Sequence, residues 1–112
     1  LLEICQGSEL SATVNLSQVP VLDNAVLDYL AQGCVPGGSC RNWESIGAYI
    51  QGTDSQSQTL LCDPQTSGGL LVAARPEAAD EVAQLLAEAG CYAQPIGELI
   101  STEAAPQIRV NP

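Results

Sequence analysis

The stretch LLCDPQTSGGLLVAARPEAADEVAQLLAEAG, residues 60–90, decides the fold class. It opens on a short apolar run, Leu60-Leu61-Cys62, and passes through the polar loop Asp63-Pro64-Gln65-Thr66-Ser67-Gly68-Gly69. The run Leu70-Leu71-Val72-Ala73-Ala74 is continuously apolar, as expected of a strand covered on both faces. Pro76 then suits the first position of a helix over residues 76–89. Glu77, Asp80 and Glu81 sit near its positive N-terminal end, and Gly90 provides a stop. Ala79, Val82, Ala83, Leu86 and Ala89 recur at helical spacing and form an apolar stripe. Loop, buried strand and amphipathic helix in that order belong to a protein that layers helices on a sheet.

Working outward, residues 1–6 read as the last turns of a helix closed by Gly7, with its beginning outside this chain. Residues 11–17 alternate, with Ala12, Val14 and Leu16 on one side and Thr13 and Asn15 on the other, as in a half-buried strand. Pro20 ends it. Asp23 can cap a helix through about residue 32, with Leu22, Val26 and Leu30 on one face and Gly33 as the stop. In residues 34–42, CVPGGSCRN, the Pro36-Gly37-Gly38 sequence is a turn signal. Asn42 can cap a short helix carrying Trp43, Ile46 and Ile50. Residues 51–59 are polar and read as an exposed loop. Residues 92–100 and 107–111 read as two final strands separated by the polar stretch Ser101 to Pro106. The expected fold is α+β: one domain over 1–112, with a mixed, mostly antiparallel sheet and helices packed on one face.

Composition bounds the chemistry. The 112 residues carry 3 Lys+Arg, 13 Asp+Glu and no His, a formal net charge of −10. The three cations are all Arg. Without His or Lys there is no His-based triad, Lys nucleophile or P-loop lysine. Three Arg cannot make a basic surface for nucleic acid, and an anionic membrane would repel the chain. ATP is a poor partner for this chain alone unless metal ions or another domain supply positive charge. At 46% hydrophobic and 14% charged residues it is not a disordered acidic tail. The low charge density of the chain suggests that part of its surface is covered in a larger molecule. The five Cys form no CxxC pair and no metal-ligand spacing, so no metal ligand is assigned. An odd count suits reduced, mostly structural thiols in the cytoplasm. Cys34 and Cys40 share one loop and could alternatively pair or bind a soft element. No signal peptide or span-length apolar run is visible.

Two loops could carry function. In residues 62–71, Asp63 with Pro64 favours turn initiation, Thr66 and Ser67 offer hydroxyls, and Gly68 and Gly69 allow positive φ and close backbone approach. Such a loop can present N–H groups and hydroxyls to an anion. It can equally be a tight turn whose Asp and Ser satisfy their own backbone. Asp63 is the best-placed carboxylate for a magnesium-linked role. In the second loop, Arg41 can pair with a phosphate or a neighbouring domain's carboxylate, or simply balance local acids. Trp43 suits a core or a domain interface, with stacking on a ligand base as the alternative.

These residues resemble a known family. DPQTSGGLL at 63–71 is similar to the signature of the C-terminal domain of selenophosphate synthetase (selenide, water dikinase). GCVPGGSCRN at 33–42 is similar to the family's second motif, Gly-Cys/Ile-Val-Pro-Gly-Gly followed by Arg-Asn. The resemblance spans roughly residues 1 to 100. It implies a larger enzyme of the aminoimidazole ribonucleotide synthetase superfamily that converts ATP, selenide and water into selenophosphate, AMP and orthophosphate. It implies Mg2+ and ATP as cofactors of the full-length enzyme, with none bound to this piece. It implies an N-terminal ATP-binding domain as partner, carrying the reactive Cys or selenocysteine, an essential Lys and most metal ligands, and a homodimer as the assembled form. By the same resemblance, an Asp-Val-Thr-Gly-Phe-Gly motif would fall just before Leu1, so the chain reads as truncated at its N-terminus. No Cys here matches the catalytic one. Asp63, Gln65, Thr66, Ser67, Gly68, Gly69, Arg41 and Asn42 are the candidates for lining an interdomain cleft. Another superfamily member, of the hydrogenase-maturation or thiamine-phosphate kinase type, and a non-catalytic interaction module are the alternatives.

Overall fold

The computed structural model describes residues 1–102 and 104–112. Five α-helices and four strands follow one another as α1 (Leu2–Ser8), β1 (Leu10–Asn15), α2 (Ala25–Ala31), α3 (Gly37–Ile46), β2 (Ile50–Gln51), α4 (Ser55–Leu61), α5 (Ala79–Glu88), β3 (Gly97–Ser101) and β4 (Ile108–Asn111). The strands form one sheet in the order β2-β4-β1-β3. β1 runs antiparallel to β3, while β4 is parallel to both β1 and β2. The α+β class with a mixed sheet therefore holds. Its longest pairing is antiparallel, but the other two are parallel, so the sheet is mixed without the expected antiparallel majority.

The alternation in β1 explains how the sheet buries one face. Ala12 and Val14 pair with Ile108 and Val110, and all four are buried together with Cys5 of α1. Leu2, Leu16, Val19, Ile50, Leu61 and Leu99 pack around this cluster. The intervening positions carry polar side chains, since successive strand residues point to opposite faces. Gln51, Arg109, Thr13 and Glu98 are consecutive register partners across all four strands. Ser11 is buried despite its polarity because its hydroxyl accepts a hydrogen bond from the Gln107 N–H at 3.1 Å.

One helix ends at a residue other than the expected one. Helix α1 runs past Gly7 and closes at Glu9, which takes the left-handed conformation (φ 57°). A side chain bears the strain there that glycine would have avoided. After β2, Gly52 is required: its φ is +82°, and a Cβ would collide with the Val110 carbonyl oxygen of β4. Around α2, the Asp23 carboxylate accepts from the Ala25 N–H at 2.8 Å, and Gly33 (φ +81°) follows the helix as the stop. Leu22, on its expected apolar face, is nevertheless fully exposed.

Three segments correct the sequence reading more strongly. Pro36-Gly37-Gly38 is not a free turn: Pro36 is the extended residue (φ −63°, ψ 138°) from which α3 starts at Gly37. Asn42 is therefore inside α3 and does not cap it. The polar stretch 51–59 is not an exposed loop. Most of it is α4, begun by a reciprocal cap in which the Asp54 carboxylate accepts from the Ser57 N–H and the Ser57 hydroxyl accepts from the Asp54 N–H. Finally, Leu70–Ala74 pairs with no strand of the sheet and is exposed throughout, Leu70 at 95%. Its apolar character is real, but none of the described residues covers it.

The helix expected over 76–89 is present as a short 3-10 turn at Pro76–Ala78 leading into α5. Gly90 (φ +72°) follows it. Val82, Ala83 and Leu86 of its apolar stripe are half-buried, while Ala79 and Ala89 at the two ends are exposed. Strand β3 starts later than residue 92, and β4 matches the expected 107–111 closely. Within the stretch Ser101 to Pro106, Glu103 lies outside the described residues.

Candidate functional site

The two loops singled out by sequence meet in space. Helix α3 packs against α4, which ends at Leu61, and the loop 63–69 follows directly. The Asn42 side-chain amide donates to the Cys62 carbonyl at 2.9 Å, tying the middle of α3 to the start of that loop. At the other end of α3, a Cβ on Gly38 would lie 2.6 Å from Cγ and 2.8 Å from Cβ of Pro64. A pyrrolidine ring cannot swing away, so Gly38 is glycine because Pro64 lies on it. One hydrogen bond and one close packing contact thus hold the 63–69 loop beside the first half of α3.

Within the loop, Gly68 faces the side chain of Gln65: an added Cβ would come 2.8 Å from Gln65 Oε1. The Gln65 amide ends a flexible side chain and can give way, so this contact alone does not demand glycine at Gly68. The non-negative φ that two glycines could allow is found at Gly33, Gly52 and Gly90, and not at Gly68 or Gly69. Asp63, Gln65, Thr66, Ser67, Gly68 and Gly69 are all exposed, as are Arg41 and Asn42 on α3. The candidates of the 63–69 loop and Arg41 are thus open to a ligand or another domain, while the Asn42 amide is engaged on the Cys62 carbonyl. Arg41 reaches back along its own helix: its Nη1 is 3.9 Å from the position of a Cβ on Gly37. That places a guanidinium over the first turn of α3.

Sequence reasoning missed the neighbours of these residues. Gly37, Gly38 and Ser39 form the first turn of α3, and a reading of Pro-Gly-Gly as a turn hides that role. The signal was present: the residue before a helix is commonly extended, as Pro36 is, and the helix starts immediately after it. Trp43 stands one turn further on, half-buried, with its indole against Gly47 at the end of α3. A Cβ on Gly47 would be 2.7 Å from Trp43 Cε2, so the ring is packed in place by its own helix.

The cysteines divide differently from the expected pattern. Cys5 and Cys62 are buried, and burial pushes both thiols up from their ordinary value. Such thiols are poor nucleophiles at neutral pH. Cys34, Cys40 and Cys91 are exposed, so structural burial accounts for only two of the five. All five are free, and Cys34 and Cys40 do not pair. Among the described residues no group of three or more His, Cys, Asp or Glu could hold a metal ion, and no helix is long and apolar enough to cross a membrane. Asp63 therefore has no companion carboxylates here with which to bind Mg2+.

The mixed sheet with its helices, and a Gly-bearing loop pinned to a helix start, define a domain of the kind described as "AIR synthase related protein, C-terminal domain". That family matches residues 1–106, and the chain belongs to it. Its similar relatives carry a more particular name. Over 101 residues it is 50% identical to a protein of Colwellia psychrerythraea named "Selenide, water dikinase", covering 90% of this chain and 29% of that protein. A protein of the same name from Yersinia pseudotuberculosis is 49% identical over 104 residues, 93% of this chain and 30% of the relative. Another, from a Shewanella species, is 55% identical over 86 residues, 77% of this chain and 24% of the relative. The chain thus spans between about a quarter and a third of the length of these curated relatives.

Proposed function

We propose that the chain is the C-terminal domain of a selenide, water dikinase, an enzyme that makes selenophosphate, AMP and orthophosphate from ATP, selenide and water. The observation that supports this reading is the convergence of its two motifs: the VPGGSCRN helix start and the DPQTSGG loop are held together by Asn42 and by the Gly38–Pro64 contact. Relatives about 50% identical over most of the chain bear that enzyme's name.

In this reading Asp63, Gln65, Thr66, Ser67, Gly68 and Gly69, with Arg41 and Asn42, form one wall of a cleft whose other wall is an N-terminal ATP-binding domain. The nucleophile, the essential Lys and the metal ligands belong to that domain. Phosphoryl transfer depends mainly on positioning and on neutralising phosphate charge. A chain of net charge −10 contributes little of the second, so its share is positioning and exclusion of water. Mg2+ and ATP are cofactors of the full-length enzyme, and among the described residues no cluster of carboxylates fits a Mg2+ site. The full-length enzyme is a cytoplasmic homodimer that needs neither nucleic acid nor membrane.

Selenide-dependent formation of AMP by the protein containing this domain tests the reading. Activity that is absent there, or present in the 112-residue chain alone, overturns the division of labour. In the longer protein Ser67→Ala and Gly68→Val should both lower turnover; unchanged kinetics would remove the cleft-wall role.

A further inference from the structure

The first turn of α3 has a feature that its packing does not explain. Ser39, its third residue, is only 3% exposed, and its hydroxyl is buried without a hydrogen-bond partner. A buried unpaired hydroxyl costs stability. Helix side chains lean toward the N-terminus, so this hydroxyl is aimed along the opening turn of the helix. The surrounding groups are donors. Pro36 supplies no side-chain cap, and the N–H groups of Gly37 and Gly38 have no acceptor within the helix. The Ser39 N–H is already used on the Pro36 carbonyl at 3.0 Å. The Arg41 guanidinium lies over Gly37. Gly37 is exposed and leaves the backbone bare, so a ligand can approach it closely, while Gly38 is partly covered by Pro64.

We infer that this turn binds an oxyanion of the phosphate type. The N–H groups of Gly37 and Gly38, the Arg41 guanidinium and the Ser39 hydroxyl are its donors. Helix N-termini favour anions through their free N–H groups and their dipole, and a guanidinium matches two phosphate oxygens. Glu44, one turn along α3, and Asp63, beside Pro64, are the nearby carboxylates in sequence and keep the affinity modest. The inference rests on the functional reading above for its purpose, a phosphate in the cleft, but its geometry stands apart from it. Pro64 lies on Gly38, so the 63–69 loop edges the same turn. The Ser39 hydroxyl is buried, so an anion reaches it only when the groups around this turn give way.

Titration of inorganic phosphate into the isotopically labelled chain, at constant ionic strength, reads the site directly. The expected result is a saturable shift of the Gly37, Gly38 and Ser39 amide resonances. Arg41→Gln should weaken the affinity by about tenfold, and Ser39→Ala should weaken it several-fold. Ser39→Ala removes an unpaired buried hydroxyl, so its thermal unfolding should be unchanged or higher, which separates lost binding from lost folding. Arg75→Gln and Arg109→Gln carry the same charge change elsewhere and should leave the affinity intact. No saturable shift at these amides overturns the site, as does an equal loss in all three Arg variants or an unchanged affinity in both Arg41→Gln and Ser39→Ala. Phosphate binding at this turn supports the site even where the longer protein shows no selenide-dependent activity, an outcome that would sink the functional reading alone.

Discussion

Helices α3 and α4 lie against each other, yet they begin in opposite ways. At α4 the Asp54 carboxylate and the Ser57 side chain close the first turn on itself: the N–H groups of both residues are taken up, and the Ser57 hydroxyl donates its one proton back to Asp54. At α3 the corresponding place holds Pro36, which has nothing to cap with, followed by two glycines and a buried hydroxyl without a partner. A closed start serves only its own helix. An open start costs its helix stability and leaves donors available to something else. The difference teaches that the exposed candidates gather at the end of the helix that forgoes its cap, and not at the end that secures one.

The most forceful way to break this comparison is Gly38→Val. It drives a branched side chain into the Pro64 ring and should cost about 1–3 kcal/mol, seen as a lower unfolding midpoint. It should also accelerate hydrogen exchange in the 63–69 loop, while the α4 start is unaffected. Next in size, Ser57→Ala opens the closed start and should cost about 1 kcal/mol in thermal unfolding. Phosphate binding at α3 should not change with it. Pro36→Asp makes α3 resemble α4. It should gain about 0.5–1 kcal/mol from the new cap and weaken phosphate affinity, because the new carboxylate competes for the same donors.

The smallest effect is a dependence on pH. Hydrogen bonds from the Ser57 backbone and side chain hold the Asp54 carboxyl below the ordinary carboxylate value. A group whose folded pKa is lowered adds stability above its unfolded value and loses that stability as pH falls through the folded one. Acidification through and below the ordinary carboxylate range should therefore fray α4 in a titration followed by amide exchange. Asp54→Asn should remove that dependence, and the start of α3 should show none from this source.

How legible each part was depends on where its cause resides. β1 and β4 were readable because burial on one face imposes alternation: Ala12 and Val14 are paid out against Ile108 and Val110, with polar residues between them. The helix after Pro76 was readable because its start, stripe and stop are local. The start of α4 was missed because its reciprocal cap uses Ser57 where Glu or Gln is the usual third residue. Polar composition from 51 to 59 then resembled a loop. The start of α3 was missed because Pro-Gly-Gly is also a turn signal, and only contact with Pro64 distinguishes the two uses. Leu70–Ala74 was legible as apolar, but a local pattern carries no information about which surface covers it. At the site, the two motifs stood out in the sequence, but their meeting through Asn42 and through Gly38 on Pro64 did not. Gly37, Gly38 and the unpaired Ser39 hydroxyl did not stand out either, because their role depends on helix direction and burial.

The position of β4 has a consequence for how the sheet is assembled. It is the last of the four strands in chain order, yet it sits between β2 and β1 and joins them in the sheet. Hydrogen bonds around it span 96 residues, from Gln107 to Ser11 and from Asn111 to Asn15. Pairings so distant along the chain close slowly, because the loop entropy precedes the contact that rewards it. During synthesis β1 and β2 must therefore wait unjoined until residues 108–111 have left the ribosome, and the hydrophobic cluster they share with β4 is completed last.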